Sequence, residues 1–143
     1  MKNYIYKTTC LIVLIATAIA CGDTAPDEPS EQELTFENLA GQWGLPATGG
    51  IVVDGVDQSL NYEGFNLSFT DGGYNTSNAG TLFQATGTWE WANESTTTQI
   101  NLDDGKSVNI QNLSTTEFVF SFIQTTGGVS SGTNGDYLVT LNK

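Results

Sequence analysis

Few residues in this chain can do covalent or acid–base chemistry. There is no His. That removes the commonest general base and the commonest transition-metal ligand, and with them a Ser-His nucleophile. Of the two cysteines, Cys10 lies within the first twenty residues and Cys21 ends the motif Ala18-Ile19-Ala20-Cys21. Cys21 is the one residue to which a definite covalent role is assigned. Among the carboxylates, Glu90 lies between Trp89 and Trp91, and glycoside hydrolysis needs a carboxylate pair. Strand alternation turns Glu90 away from both tryptophans, so a solvated strand face is its expected role. The turn acids Asp54, Asp57, Asp103 and Asp104 are oxygen ligands of the kind calcium takes, but they lack EF-hand spacing. No metal and no cofactor are expected. Trp89 and Trp91 have the character of a platform for sugar rings. They share a face with Gly87 in an alternating strand and are read as core.

Charge narrows the partners. All 16 acids follow Cys21, and the cations after it are Lys106 and Lys143. Such a surface repels phosphate backbones and anionic lipid headgroups, so nucleic acid is excluded as a partner.

The elements that position Cys21 come first in the chain. Lys2 and Lys7 give a positive start, and residues 11–20 are apolar apart from Thr17. This run is too short to span a bilayer, which needs about 20 residues. A basic start, a short apolar run and small residues at its end describe a secretory signal over residues 1–20. Ala18-Ile19-Ala20-Cys21 resembles the lipobox of bacterial lipoproteins, with Ala18 where Leu is usual. The resemblance implies a diacylglyceryl group on the Cys21 thiol, cleavage before Cys21 and acylation of its amine, for example with palmitate. More than one acyl chain anchors stably. Gly22 in place of Asp points to the outer membrane. The alternative is an ordinary A-x-A cleavage site, leaving a secreted chain that begins with a free thiol. In either case Cys21 becomes the sole remaining thiol, with no intramolecular disulfide and no Cys-based zinc site.

Residues 21–34 form the lipidated Cys and an acidic tether holding Pro26 and Pro29. Low apolarity and like charge keep such a stretch unfolded. The domain proper is assigned to residues 35–143, with a single helical turn over residues 35–39 capped by Thr35. Leu45-Pro46-Ala47-Thr48-Gly49 matches a sortase signal in letters, but it lies far from the C-terminus and reads as a turn. Residues 51–62 are ambiguous, with a bend at Asp54-Gly55. Alternation predicts strands at Phe65-Leu67-Phe69, at Tyr74 and Thr76, across residues 83–92, at Ile100-Leu102, at Val108-Ile110, at Phe118-Phe120-Phe122 and at Tyr137-Val139-Leu141. Asp71-Gly72-Gly73 and Asp103-Asp104-Gly105 turn the chain. The expected inward set is Trp43, Phe65, Leu67, Phe69, Tyr74, Trp89, Trp91, Ile100, Leu102, Val108, Ile110, Phe118, Phe120, Phe122, Tyr137, Val139 and Leu141. So many bulky side chains predict a mostly filled interior. Val119 and Ile123, on the opposite face, are the candidate docking patch.

About eight short strands joined by hairpins predict an all-β fold, an antiparallel up-and-down barrel; a β-sandwich is the alternative. Leu39 to Trp43 with its Gly41-Gln42-Trp43 core, the run Phe65 to Tyr74 and Gly87-Thr88-Trp89 resemble the small lipocalin-like domains of bacterial lipoproteins. The resemblance implies a barrel of about eight strands. Lipocalins usually place an Arg near the last strand against the opening Trp, and this chain has no such Arg. The expected function is a non-enzymatic envelope lipoprotein, bound to the membrane through Cys21, acting as a binding or assembly module for a protein partner. A carrier of a small apolar ligand in the barrel mouth is the alternative, and a glycan-processing enzyme is the third reading.

Overall fold

The computed structural model describes residues 28–125 and 134–143. The signal segment, Cys21 and most of the tether lie outside the described residues, as do residues 126–133 of the last loop.

The chain opens with helix α1 (Glu31–Leu39). Ser30-x-x-Glu33 is a capping box. The Glu33 N–H donates to Ser30 Oγ at 3.2 Å, and the Ser30 N–H donates to Glu33 Oε2 at 2.7 Å. Two otherwise orphaned donors are satisfied by this exchange. The helix therefore begins four residues before the expected turn. Thr35, expected as its cap, lies inside it and donates its hydroxyl back to Glu31 O at 2.7 Å. Residues 31–34, assigned above to the tether, belong to the folded domain.

Among the described residues ten strands follow: β1 (Gly41–Gly44), β2 (Ile51–Val53), β3 (Val56–Asp57), β4 (Asn66–Thr70), β5 (Gly73–Ser77), β6 (Thr86–Trp91), β7 (Gln99–Leu102), β8 (Ser107–Leu113), β9 (Glu117–Gln124) and β10 (Gly135–Asn142). All pairings are antiparallel, and β1–β4–β5–β6–β7–β8–β9–β10 closes back on β1. The result is a closed eight-stranded barrel, not a sandwich. β1 and β2 share one edge of β10: Gly44 pairs with Asn142, and Val53 pairs with Tyr137. Residues 45–50 bulge out between them, and Gly50 O still accepts from the Thr140 N–H at 2.7 Å. The ambiguous stretch resolves into β2, a turn at Asp54-Gly55, β3 and a 3-10 turn at Ser59–Tyr62.

Every expected inward residue faces the core. All are buried except Trp91 and Ile110, which are partly buried against it. A period of two puts one whole face inside, and closure leaves that face nowhere else to go. Leu39, Ile51, Val53, Ala79, Leu82 and Phe83 complete the core. Phe83 was expected to begin a strand, but β6 starts at Thr86. Phe83 instead folds inward from the β5–β6 connection.

Two details hold the helix end shut. Trp43 Nε1–H donates to Leu39 O at 2.8 Å. Lys143 Nζ lies 4.4 Å from the centroid of the Trp43 ring and donates to Asn38 O at 2.7 Å. Lys143 thus joins the end of β10 to both the opening tryptophan and the C-terminal turn of α1. Burial lowers its pKa.

Acid should loosen two exposed contacts. The Glu33 carboxyl lies below its ordinary value of 4.5 because the Ser30 N–H and hydroxyl hold its anion. Asp57 lies below 3.8 through the Ser59 hydroxyl and N–H, with a smaller contribution from Gly49. Groups whose folded pKa is depressed stabilise the fold fully above the unfolded value, and that stability is lost as pH falls through the folded one. Melting temperature should therefore fall on acidification below about pH 4.5. The fall should be shallower in Glu33→Gln and Asp57→Asn, measured by circular dichroism from pH 6 to pH 2.

Candidate functional site

The barrel interior is occupied by rings. Trp43 meets Phe118 at 5.5 Å between centroids, Phe118 meets Phe120 at 4.7 Å, and Phe120 meets Phe122 at 6.2 Å. Phe122 then stacks on Tyr137 at 4.9 Å. Three of these rings come from alternate positions of β9, so the strand itself lays a ladder along the barrel. Phe83 packs on Phe122 at 5.4 Å and on Phe65 at 5.9 Å. At the opposite end of the barrel α1 lies across the opening. Gln32 Nε2 donates to Asn93 O and to Thr96 O, both at 2.8 Å.

A buried ion pair sits beside Phe83. Lys106 Nζ lies 2.7 Å from Asp104 Oδ2, with both side chains almost wholly buried. The Lys106 N–H donates to Asp104 Oδ1 at 3.0 Å, and Nζ stands 5.5 Å from the Phe83 centroid. Nearby, Tyr74 donates to Asp103 at 3.4 Å. Burial, then the charges of Asp104 and Asp103, push its phenol upward. Tyr74 also crosses β6 where that strand has no side chain. A Cβ on Gly87 would fall 2.5 Å from the Tyr74 ring, so only glycine fits there.

The turn acids weighed above as calcium ligands are spent on the fold. Asp54 accepts from the Asp136 N–H, Asp57 from Ser59 and Gly49, Asp103 from Tyr74, and Asp104 from Lys106. Among the described residues, no three His, Cys, Asp or Glu side chains converge as a metal site. Glu90 stands exposed on the outer wall opposite Asn101, away from Trp89 and Trp91 as alternation requires. It borders a shallow cleft with Thr88, Asn101 and Asp103.

Three surface features remain. On the outer wall, Leu138 pairs directly with Val52 on β2 and with Ser121 on β9. Val119 and Ile123 flank Ser121 two residues either side, diagonal to Leu138 and within reach of its side chain. Ile123 is 69% exposed and Leu138 43%, while Val52 and Val119 are half-buried. The expected pair Val119 and Ile123 is therefore part of a four-residue apolar stripe across three strands. Sequence alternation found two of the four; the other two needed the β9–β10–β2 register. At the barrel mouth, Val53, Val56, Tyr62 and Tyr137 with Gln58 and Asn61 line an open cleft of about 280 Å³. At the helix end, Trp89 and Trp91 part company. Trp89 is core and donates to Thr70 O at 2.9 Å, whereas Trp91 stands half-exposed at right angles to it, 5.3 Å away.

The chain matches no protein-family model, no curated protein and no solved structure.

Proposed function

We propose that this protein is a lipid-anchored, non-enzymatic binding module of the cell envelope, held at the outer membrane through Cys21 and docking a protein partner on its outer wall. The observation that carries the reading is the pairing of a ring-filled barrel with an exposed stripe of Val52, Val119, Ile123 and Leu138. A carrier needs an interior to hold its cargo, and here β9, Phe83 and Tyr137 fill that interior with their own rings. Apolar residues gathered on one face of a strongly acidic domain mark an interaction site. The partner's chemistry follows from charge. Sixteen acids against Lys106 and Lys143, both engaged within the fold, favour an apolar patch rimmed by basic side chains.

The carrier reading keeps the cleft beside Tyr137 as its observation, because Val53, Val56 and Tyr62 give it apolar walls. Native mass spectrometry of the protein extracted from membranes separates the two. The module reading expects the mass of the acylated polypeptide alone. A stoichiometric small apolar molecule that survives extraction would establish the carrier.

A further inference from the structure

A second surface site stands independently of the docking stripe. The cleft between α1 and β6 holds about 400 Å³ and is lined by Ser30, Gln32, Glu33, Phe36, Asp71, Trp89 and Trp91. Its apolar wall is built of rings packed on one another. Phe36 packs against Trp89 at 5.7 Å, Trp89 packs edge-on to Phe69 at 5.9 Å, and Trp91 stands perpendicular to Trp89. The two indole N–H groups differ. That of Trp89 is tied to Thr70 O. Among the described residues that of Trp91 meets no acceptor, and no buried side-chain N or O lacks a partner. The Trp91 donor therefore reaches solvent. Asp71, at the tip of the β4–β5 turn, is exposed, and among the described residues nothing donates to its carboxylate. Gln32 spends its amide N–H groups on Asn93 and Thr96, which leaves its carbonyl oxygen unused and the side chain locked in place.

We propose that this cleft binds a neutral carbohydrate, with Trp91 as the stacking platform, its indole N–H as donor, and Asp71 and the Gln32 carbonyl as acceptors for sugar hydroxyls. A sugar ring offers polarised C–H groups on one face, which suit the negative face of an indole, and hydroxyls around its rim. A few convergent polar groups beside an aromatic wall fix orientation, and walls already packed and hydrogen-bonded lose little entropy on binding. Charge selects within the class. Asp71, Glu33 and the acidic surface repel anionic glycans. A simple cation is disfavoured in turn, because the positive end of α1 opens onto the cleft and Glu33 is already committed to the capping box. The site is a binding site without a reaction. Glu90 lies on the other face of β6, so the tryptophan and the carboxylate adjacent in sequence do not converge.

The test is affinity electrophoresis of the full chain through gels cast with soluble starch, galactomannan, xyloglucan or dextran, with polygalacturonate in parallel. At least one neutral polysaccharide is expected to retard the protein. Trp91→Ala should weaken that retardation about tenfold or more. Asp71→Ala, on an exposed turn, should weaken it too, and Trp91→Phe should retain part of it by keeping a ring without the N–H. Ile123→Ser should migrate as the unaltered chain does, which separates this site from the docking stripe. Retardation by none of the neutral polysaccharides would overturn the proposal. So would retardation by polygalacturonate instead, or retardation unchanged in Trp91→Ala and Asp71→Ala together.

Discussion

Replacing Lys106 with methionine is expected to destabilise the domain by about 3–5 kcal/mol, because it leaves the Asp104 carboxylate buried without its cation. The pair is not exposed decoration. Asp104 Oδ2 and Lys106 Nζ are 2.7 Å apart and shielded from water, and the lysine stem packs beside Phe83. Small domains have total stabilities of about 5–15 kcal/mol, so a loss of this size removes a large share. Asp104→Asn keeps an oxygen for the Lys106 N–H while discarding the charge. Joined to Lys106→Met, it should recover much of the loss, since replacing both members of a buried pair costs far less than stranding one. Urea unfolding of the single and double variants measures this directly. Single and double variants of equal stability would show that the buried charge is not what makes the pair matter.

The second large effect concerns Cys21, which lies before the described residues. Cys21→Ala is expected to abolish lipid labelling and to move the protein from the membrane fraction to the soluble one. The domain should fold unchanged, because the barrel and the Ser30 capping box are built from residues that lie after Cys21 and do not use its thiol. The physical reason is arithmetic of burial: each methylene of an acyl chain adds about 0.8 kcal/mol of membrane affinity, and the acidic tether and domain add none. Fractionation with labelled palmitate measures it. Membrane retention of Cys21→Ala would mean that something other than a thiol-linked lipid holds the chain.

Much of the barrel was legible because a closed sheet obeys a local rule. Phe65-Leu67-Phe69, Ile100-Leu102 and Phe118-Phe120-Phe122 announce their faces by alternation alone, and hairpin turns at Asp71-Gly72 and Asp103-Asp104 order them. What stayed hidden depends on contacts far apart in sequence. The start of α1 was masked by acids that look like tether, although Ser30-x-x-Glu33 was a readable cap. Phe83 looked like a strand residue; only the closed barrel shows that it turns in to meet Phe65 and Phe122. Asp104 read as a turn acid and Lys106 as one of two cations after Cys21, and no local pattern marks either as buried. Lys143 over Trp43 joins residues 100 positions apart, so no local pattern could announce the contact. At the surface, alternation placed Trp89 and Trp91 on one face correctly. It could not show that the barrel's end leaves Trp91 half in water, since exposure there depends on where α1 comes to rest.

The central claim is that the domain works through its outer wall rather than through an interior cavity. Photocrosslinking in intact cells tests it most directly, with a photoreactive amino acid placed at Ile123 or, as a control, at the exposed Asn75 on β5. The account predicts one discrete, heavier adduct from Ile123 and none from Asn75. The same pattern from both positions, or no adduct from Ile123, would contradict it.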